Sequence, residues 1–127
     1  MINSKELAPV VLRISLALVF LYFGISQLND PGLWSIFVPD FFVVSGISAN
    51  NLVILNGFIE LVLGTFLLVG IYVRIASLIL GIHLFGIAFS IGFSPIAIRD
   101  FGLAFATIAL FLFGPDKYAL DSKFIKK

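Results

Sequence analysis

Residues 51–70, NLVILNGFIELVLGTFLLVG, form an apolar run in which Glu60 is the one charged residue. At a rise of about 1.5 Å per residue, a helix of this length spans roughly the 30 Å of a bilayer core. The run is therefore predicted to be a transmembrane helix. A charged side chain at mid-membrane costs about 2.5–3.5 kcal/mol on insertion-based scales, so Glu60 is expected to face the interior of a bundle and to have a partner there.

The composition of the chain is that of a membrane protein. Hydrophobic residues make up 61% of the 127 positions and charged residues only 12%, whereas soluble domains are roughly half apolar and about a quarter charged. Each crossing needs about 20 apolar helical residues, so a chain of this length holds about four crossings with their connections.

Three further runs are predicted to cross the membrane. The first, residues 7–28, ends at the turn signal NDPG of residues 29–32. The third, residues 74–93, follows residues 51–70 after a short link, and the fourth begins at the cap Ser94-Pro95 and stops at Gly114-Pro115. The sequence thus predicts an all-α membrane protein, a four-transmembrane-helix bundle forming one domain over residues 1–127, with an apolar outer loop between helices 1 and 2.

The distribution of basic residues predicts the orientation of the bundle. Four crossings place both termini on one side, and that side would carry seven basic residues against Arg99 alone on the other. By the positive-inside rule, the protein is expected in the cell membrane with its N and C termini in the cytoplasm. The seven residues are Lys5, Arg13, Arg74, Lys117, Lys123, Lys126 and Lys127.

The connection between the first two spans, residues 29–50, is apolar and rich in aromatic residues. Trp34, Phe37, Phe41 and Phe42, with Pro39 among them, predict a short helix and a bend at the outer interface. This segment is expected to cap the bundle, and the alternative is that it docks a partner subunit.

A buried polar site is predicted from four residues: Arg13, Asn56, Glu60 and His83. Counted along their helices, Glu60 and His83 share a depth, and the long side chain of Arg13 can reach toward them from the cytoplasmic half. Asn56 lies four residues before Glu60 and so shares its helix face. Two interpretations of Glu60 stay open: a buried ion pair or protonated acid that fixes helix register, and a proton relay or contact to a quinone or other polar head group. For His83 taken alone, a satisfied core histidine is the preferred interpretation.

An outer tier of polar residues is predicted nearer the opposite side of the membrane. It contains Gln27 after the first span and Arg99 and Asp100 in the first turns of the fourth helix. A helix N-terminus favours Asp100 but not Arg99, so Arg99 is expected to pair with Asp30, Asp40 or Asp100, or else to bind an anionic head group.

Several classes of partner and cofactor are disfavoured by the residue inventory. A net charge of +1, without a basic stripe, gives no reason to expect nucleic acid. The chain has no cysteine, one histidine and one methionine, so thiol chemistry, bis-axial haem ligation and a metal-ligand cluster are not expected. No covalently bound cofactor is predicted, and a redox role would borrow its electron carrier from a partner.

Three stretches of the sequence together resemble the DoxX family of small four-helix membrane proteins. They are RISLALVFLYFGISQL from residue 13, IELVLGTFLLVGIYVRIAS from residue 59 and RDFGLAFATIALFLFGPDKYALD from residue 99. The resemblance implies a subunit of a membrane oxidoreductase, because the name-giving members are associated with thiosulfate:quinone oxidoreductase, once described as a terminal quinol oxidase. The matching positions include Arg13, Gly24, Gln27, Leu28, Pro31, Glu60, Gly64, Gly70, Arg74, Ala76, Arg99, Asp100, Gly114, Pro115 and Asp121.

The leading functional prediction is a small integral membrane subunit of a quinone-linked oxidoreductase, not catalytic alone, with Arg13, Glu60 and His83 forming a polar site that reaches toward the cytoplasmic half. The alternative is a non-catalytic accessory or assembly subunit that packs through its aromatic lipid face and outer loop. A small-solute or proton carrier ranks third. The expected partners are the lipid bilayer and other membrane subunits, with a homo-oligomer as a further option.

Overall fold

A computed structural model describes residues 3–40, 43 and 46–124, with the side chains of residues 123 and 124 left aside. Within these residues, four helices are long and apolar enough to cross a membrane, and they confirm the predicted four-transmembrane-helix bundle. The helices are α1 (Ser4–Asn29), α2 (Pro31–Ser35), α3 (Ala49–Val69), α4 (Val73–Ile91), α5 (Pro95–Phe113) and α6 (Asp121–Phe124), of which α1, α3, α4 and α5 are the spans.

The ends of the long helices are fixed by local capping. The Ser94 side chain accepts from the backbone N–H of Ala97 at 3.1 Å and Pro95 opens α5, as the sequence predicts. Ser48 caps α3 in the same way. At its other end α3 stops at Gly70, whose φ of 84° lies in the left-handed region that favours glycine.

The bundle consists of two closely packed pairs of helices. The pair α1 and α3 and the pair α4 and α5 each share an extensive interface, whereas α3 and α4, although joined by a short turn, touch less. We call the end with this turn, the start of α1 and the chain after α5 the terminal end, and the opposite end, with α2, the loop end.

Glycines bring α1 and α3 almost into backbone contact. A Cβ added at Gly24 would lie 2.9 Å from the carbonyl oxygen of Gly57, and a Cβ at Gly57 would lie 2.9 Å from the Cβ of Gln27. Small residues at such a crossing allow the two backbones to approach closely. The crossing places Gln27 of α1 directly beside the α3 face that carries Asn56 and Glu60.

At the terminal end, a buried ion pair fastens the chain after α5 to α1. The Nε of Arg13 donates to Asp116 Oδ2 at 2.6 Å, and both side chains are almost fully buried. Arg13 Nη1 also donates to the carbonyls of Leu67 and Leu68, each at 2.8 Å, in the last turn of α3. These carbonyls lack helical partners, so one guanidinium ties together three segments of the chain.

A second carboxylate, in the chain after α5, caps the start of α4. Asp121 accepts from the backbone N–H groups of Tyr72 and Val73 at 2.9 and 2.8 Å. These N–H groups belong to the unpaired first turn of α4. The tail therefore packs on the α3–α4 turn.

Lys126 and Lys127, two of the seven basic residues from which the orientation is predicted, lie outside the described residues.

The segment after α1 covers the loop end of the bundle. Trp34 donates its indole N–H to Ser26 Oγ at 2.9 Å, and its ring meets Phe23 edge-on with centroids 5.5 Å apart. Phe37 packs against Trp34 in turn. These contacts confirm the predicted short helix over the bundle, while Phe41 and Phe42 of the same prediction lie outside the described residues.

Candidate functional site

A cavity of about 450 Å³ lies between the two helix pairs. We call it the central cavity. Its walls come from α1, α3, α4 and α5, and Trp34, Phe37, Val38 and Pro39 contribute to its lining at the loop end. The lining is largely apolar, and its polar members are Gln27, Trp34, Asn56, Glu60, His83, Ser90, Arg99 and Asp100.

Three polar side chains from α1 and α3 form a hydrogen-bonded cluster in the cavity wall. Gln27 Nε2 donates to Glu60 Oε2 at 3.2 Å, and Asn56 Nδ2 lies 3.3 Å from Glu60 Oε1 and 2.6 Å from Gln27 Oε1. We call these residues the amide–carboxyl cluster. Asn56 and Glu60 share a face because they are four residues apart, as predicted, and the Gly24–Gly57 crossing supplies Gln27.

Glu60 is buried, with 4% of its surface exposed, and its partners are amides. Among the described residues, no basic nitrogen lies within ion-pair distance of its carboxylate. The ion-pair interpretation with Arg13 is therefore wrong. Each carboxylate oxygen accepts one amide N–H, which leaves further lone-pair positions on both oxygens. The carboxyl group can thus bond to a molecule in the cavity without losing its present partners.

His83 enters the cavity wall from α4 with an unsatisfied nitrogen. Its Nε2 is buried and has no hydrogen-bond partner among the described residues. The prediction of a satisfied core histidine is wrong at this atom. Burying a polar group without a partner costs about 1–3 kcal/mol, and a ligand group brought within hydrogen-bond distance of this nitrogen would remove that cost.

Arg99 and Asp100 complete the polar wall from the first turns of α5. Arg99 Nη2 lies 3.2 Å from Asp100 Oδ1, which confirms Asp100 as one of the predicted partners of Arg99. The Arg99 guanidinium also lies 5.0 Å from the centre of the Phe23 ring. The Arg99 side chain is half exposed while that of Asp100 is 9% exposed, so this pair joins the cavity to the surface.

Arg13 does not belong to the site. It was expected to reach Glu60, but its guanidinium is bound at the terminal end by Asp116 and by two α3 carbonyls. The physical reason is that a buried guanidinium with five N–H groups needs a dense set of acceptors, which the end of α3 and the tail provide. The site consequently extends toward the loop end, contrary to the predicted direction.

The division into inner and outer tiers is also wrong. Gln27 was assigned to the outer tier, yet it bonds directly to Glu60, and Arg99 and Asp100 line the same cavity as His83. The sequence holds one signal of this arrangement. Gln27 lies one turn after Gly24, and Asn56 directly precedes Gly57, so a glycine crossing brings the two polar residues together.

Comparison with known proteins identifies the family of the chain. The family model described as DoxX matches residues 8–92, two thirds of the chain, which include most of α1 and all of α2, α3 and α4. The matched part carries the amide–carboxyl cluster and His83. No curated protein and no solved structure matches the chain.

Proposed function

We propose that this small multi-pass membrane protein, which belongs to the DoxX family, is the quinone-binding subunit of a membrane oxidoreductase. The polar groups in the wall of the central cavity are a further reason for this proposal. The central cavity holds the quinone ring. The amide–carboxyl cluster and His83 hold its two oxygen atoms.

The observation that carries this proposal is the buried Nε2 of His83, which has no partner among the described residues, in the wall of a largely apolar cavity. A structural histidine in a membrane bundle is expected to have a partner, because an unsatisfied group in a low-dielectric interior is costly. A ligand oxygen that bonds to Nε2 removes that cost. The imidazole is thus suited to hold a ligand.

The size and lining of the cavity suit a quinone. A volume of about 450 Å³ falls in the range of small-molecule sites, about 300–1,000 Å³. A quinone ring is flat and apolar, with a carbonyl oxygen at each of two opposite positions. His83 and the amide–carboxyl cluster supply polar groups from α4 and from the α1–α3 pair, and the apolar lining between them suits the ring.

The reaction that such a site supports is the reduction of a quinone to a quinol, or its reverse. Reduction consumes two electrons and two protons, and each carbonyl oxygen becomes a hydroxyl group. Glu60 and His83 are titratable groups in the wall and can each pass a proton to the oxygen they contact. The chain has no cysteine and a single histidine, which disfavours an iron–sulfur cluster or a bis-histidine haem of its own, and in this proposal the electrons come from a redox centre of a partner subunit.

The orientation of the site follows from the charge pattern. We place the terminal end in the cytoplasm, because the basic residues Lys5, Arg74 and Lys117 flank the spans there. The cavity then opens toward the outer half of the cell membrane. Protons taken up on quinone reduction would enter from that side, beside Arg99 and Asp100.

The binding test uses Trp34, the one tryptophan of the chain, which lines the cavity. A bound quinone is expected to quench its fluorescence saturably in purified protein. Glu60→Gln should weaken the binding of a short-chain ubiquinone about 5- to 10-fold, the value of roughly one hydrogen bond. Glu6→Gln is the control, because it makes the same chemical change at the terminal end, where the Glu6 side chain is 39% exposed. It should change the quinone affinity by less than about twofold relative to the unchanged protein.

Other results would contradict the proposal. Quenching that rises linearly without saturation, or equal affinity in Glu60→Gln and Glu6→Gln, would show that the cluster does not hold the quinone. In native membranes, Glu60→Gln should lower quinone reduction without lowering the amount of assembled complex. Reduced recovery of the complex with unchanged turnover per complex would instead support the accessory-subunit interpretation.

A further inference from the structure

The wall of the central cavity contains exposed residues on both α3 and α4. Leu55 of α3 lines the cavity and is 57% exposed. Gly86 of α4 also lines the cavity and is also exposed. Each of these neighbouring helices thus contributes a residue that both lines the cavity and is exposed, which is what an opening between the helices requires.

The helix geometry permits an opening between α3 and α4 at this level. α3 and α4 are joined by the turn at Gly70, and Leu55 and Gly86 lie about 20 Å from that turn at 1.5 Å per residue. The α3–α4 interface is much smaller than the α1–α3 and α4–α5 interfaces. Each helix is held mainly by its other neighbour, so α3 and α4 need not close on each other near the loop end.

The absence of a side chain at Gly86 leaves the opening free. A Cβ added there would meet no atom within 4 Å. Glycine here is not required by close packing, in contrast to Gly57, where the added Cβ would lie 2.9 Å from Gln27. Within one turn of Gly86, His83 and Ser90 lie on the same side of α4 and line the cavity.

We infer that a lateral portal lies between Leu55 and Gly86, and this inference rests on the proposed function. Through it a quinone with a long isoprenoid tail enters from the bilayer, and in the bound state its tail lies between α3 and α4. The ring occupies the central cavity beside His83 and Glu60. The half-exposed Arg99 at the loop end remains the route for protons, while the apolar tail stays in the bilayer.

The chemistry of the opening fits such a tail. Leu52, Leu55 and Ile59 of α3 and Ile87 of α4 are apolar and line the cavity near the gap. The polar groups lie deeper in the wall, where Glu60 is 4% exposed. Apolar side chains near the gap and polar groups deeper in the wall suit a ligand with a polar head and an apolar chain.

The test compares two glycine substitutions of equal size. Gly86→Phe places a ring in the opening, and Gly102→Phe places the same ring on α5, where an added Cβ also meets no atom within 4 Å and which does not line the cavity. Affinities are measured by Trp34 quenching with a quinone of ten isoprene units in nanodiscs and with its tailless ring analogue. Leu55→Phe is the second portal variant, used if Gly86→Phe does not fold.

The portal predicts that Gly86→Phe lowers affinity for the tailed quinone at least tenfold, while Gly102→Phe stays within twofold of the unchanged protein. Affinity for the tailless analogue should change less than threefold in both variants. Equal binding of the tailed quinone by both variants would overturn the portal and leave the proposed function standing. Equal losses for tailed and tailless quinones in Gly86→Phe would also overturn it. If the unchanged protein binds neither quinone, the proposed function itself fails.

Discussion

The ion pair between Arg13 and Asp116 provides a strong test of how this bundle is held together. Both side chains are almost fully buried, and their closest atoms are 2.6 Å apart. Asp116 also accepts from the backbone N–H of Tyr118 at 2.9 Å. Removal of either partner leaves the other charge buried and without compensation.

The expected magnitudes follow from that burial. Asp116→Ala should lower the free energy of unfolding by about 3–5 kcal/mol, because breaking a buried pair leaves an uncompensated charge. Arg13→Met should cost a similar amount, since it also removes the donors to the Leu67 and Leu68 carbonyls. The double variant has no unpaired charge, so its loss should be smaller than the sum by about 2 kcal/mol or more.

The assay is unfolding of the purified protein in mixed micelles by increasing SDS, followed by the fluorescence of Trp34. The exposed pair of Lys117 and Glu6 is the control, since its atoms are 3.9 Å apart and the side chains are 63% and 39% exposed. Lys117→Gln should change the unfolding free energy by less than about 1 kcal/mol. Additive losses in the double variant would refute the argument that the Arg13–Asp116 pair acts as a unit.

Two further predictions concern the site. His83→Phe removes the unpartnered Nε2, so the free energy of unfolding should stay unchanged or rise by about 1 kcal/mol. The quinone affinity measured by Trp34 quenching should fall about fivefold. A large loss of stability would show that Nε2 has a structural partner. Gly57→Ala forces α1 and α3 apart and should lower the free energy of unfolding in SDS by about 1–3 kcal/mol. Gly102→Ala should leave it unchanged, because an added Cβ there meets no atom within 4 Å. Equal effects of the two substitutions would contradict the close crossing of α1 and α3.

The fold could be predicted from the sequence because it depends on local signals. The length of each apolar run sets a span, and Ser94-Pro95 and Gly70 mark helix ends by their own backbone chemistry. Depth along a helix also follows from counting residues. For these reasons the four spans and the shared face of Asn56 and Glu60 are confirmed.

The partners of the buried groups could not be predicted in the same way. Depth does not specify the direction in which a helix face points, and a long side chain such as Arg13 reaches several acceptors at one level. Asp116 follows the last span in the sequence, yet its carboxylate is buried against Arg13. A buried arginine near a helix end implies a nearby carboxylate, and that rule would have favoured Asp116.

The position of Gln27 depends on a tertiary contact. It bonds to Glu60 because Gly24 and Gly57 let two backbones meet. Glycine in a membrane helix predicts close packing but does not identify the opposite helix. Only the pairing of α1 with α3 converts two separate polar residues into one cluster.

Photoaffinity labelling tests most directly whether a quinone ring binds beside His83 and Glu60. A photoreactive quinone is cross-linked to the purified protein, and the labelled residues are identified by mass spectrometry with and without excess unlabelled quinone. Labels should lie on residues 55–60 of α3 and 83–87 of α4 and should disappear under competition. Labels spread over lipid-facing residues such as Phe105 and Leu112, unaffected by competition, would contradict the account.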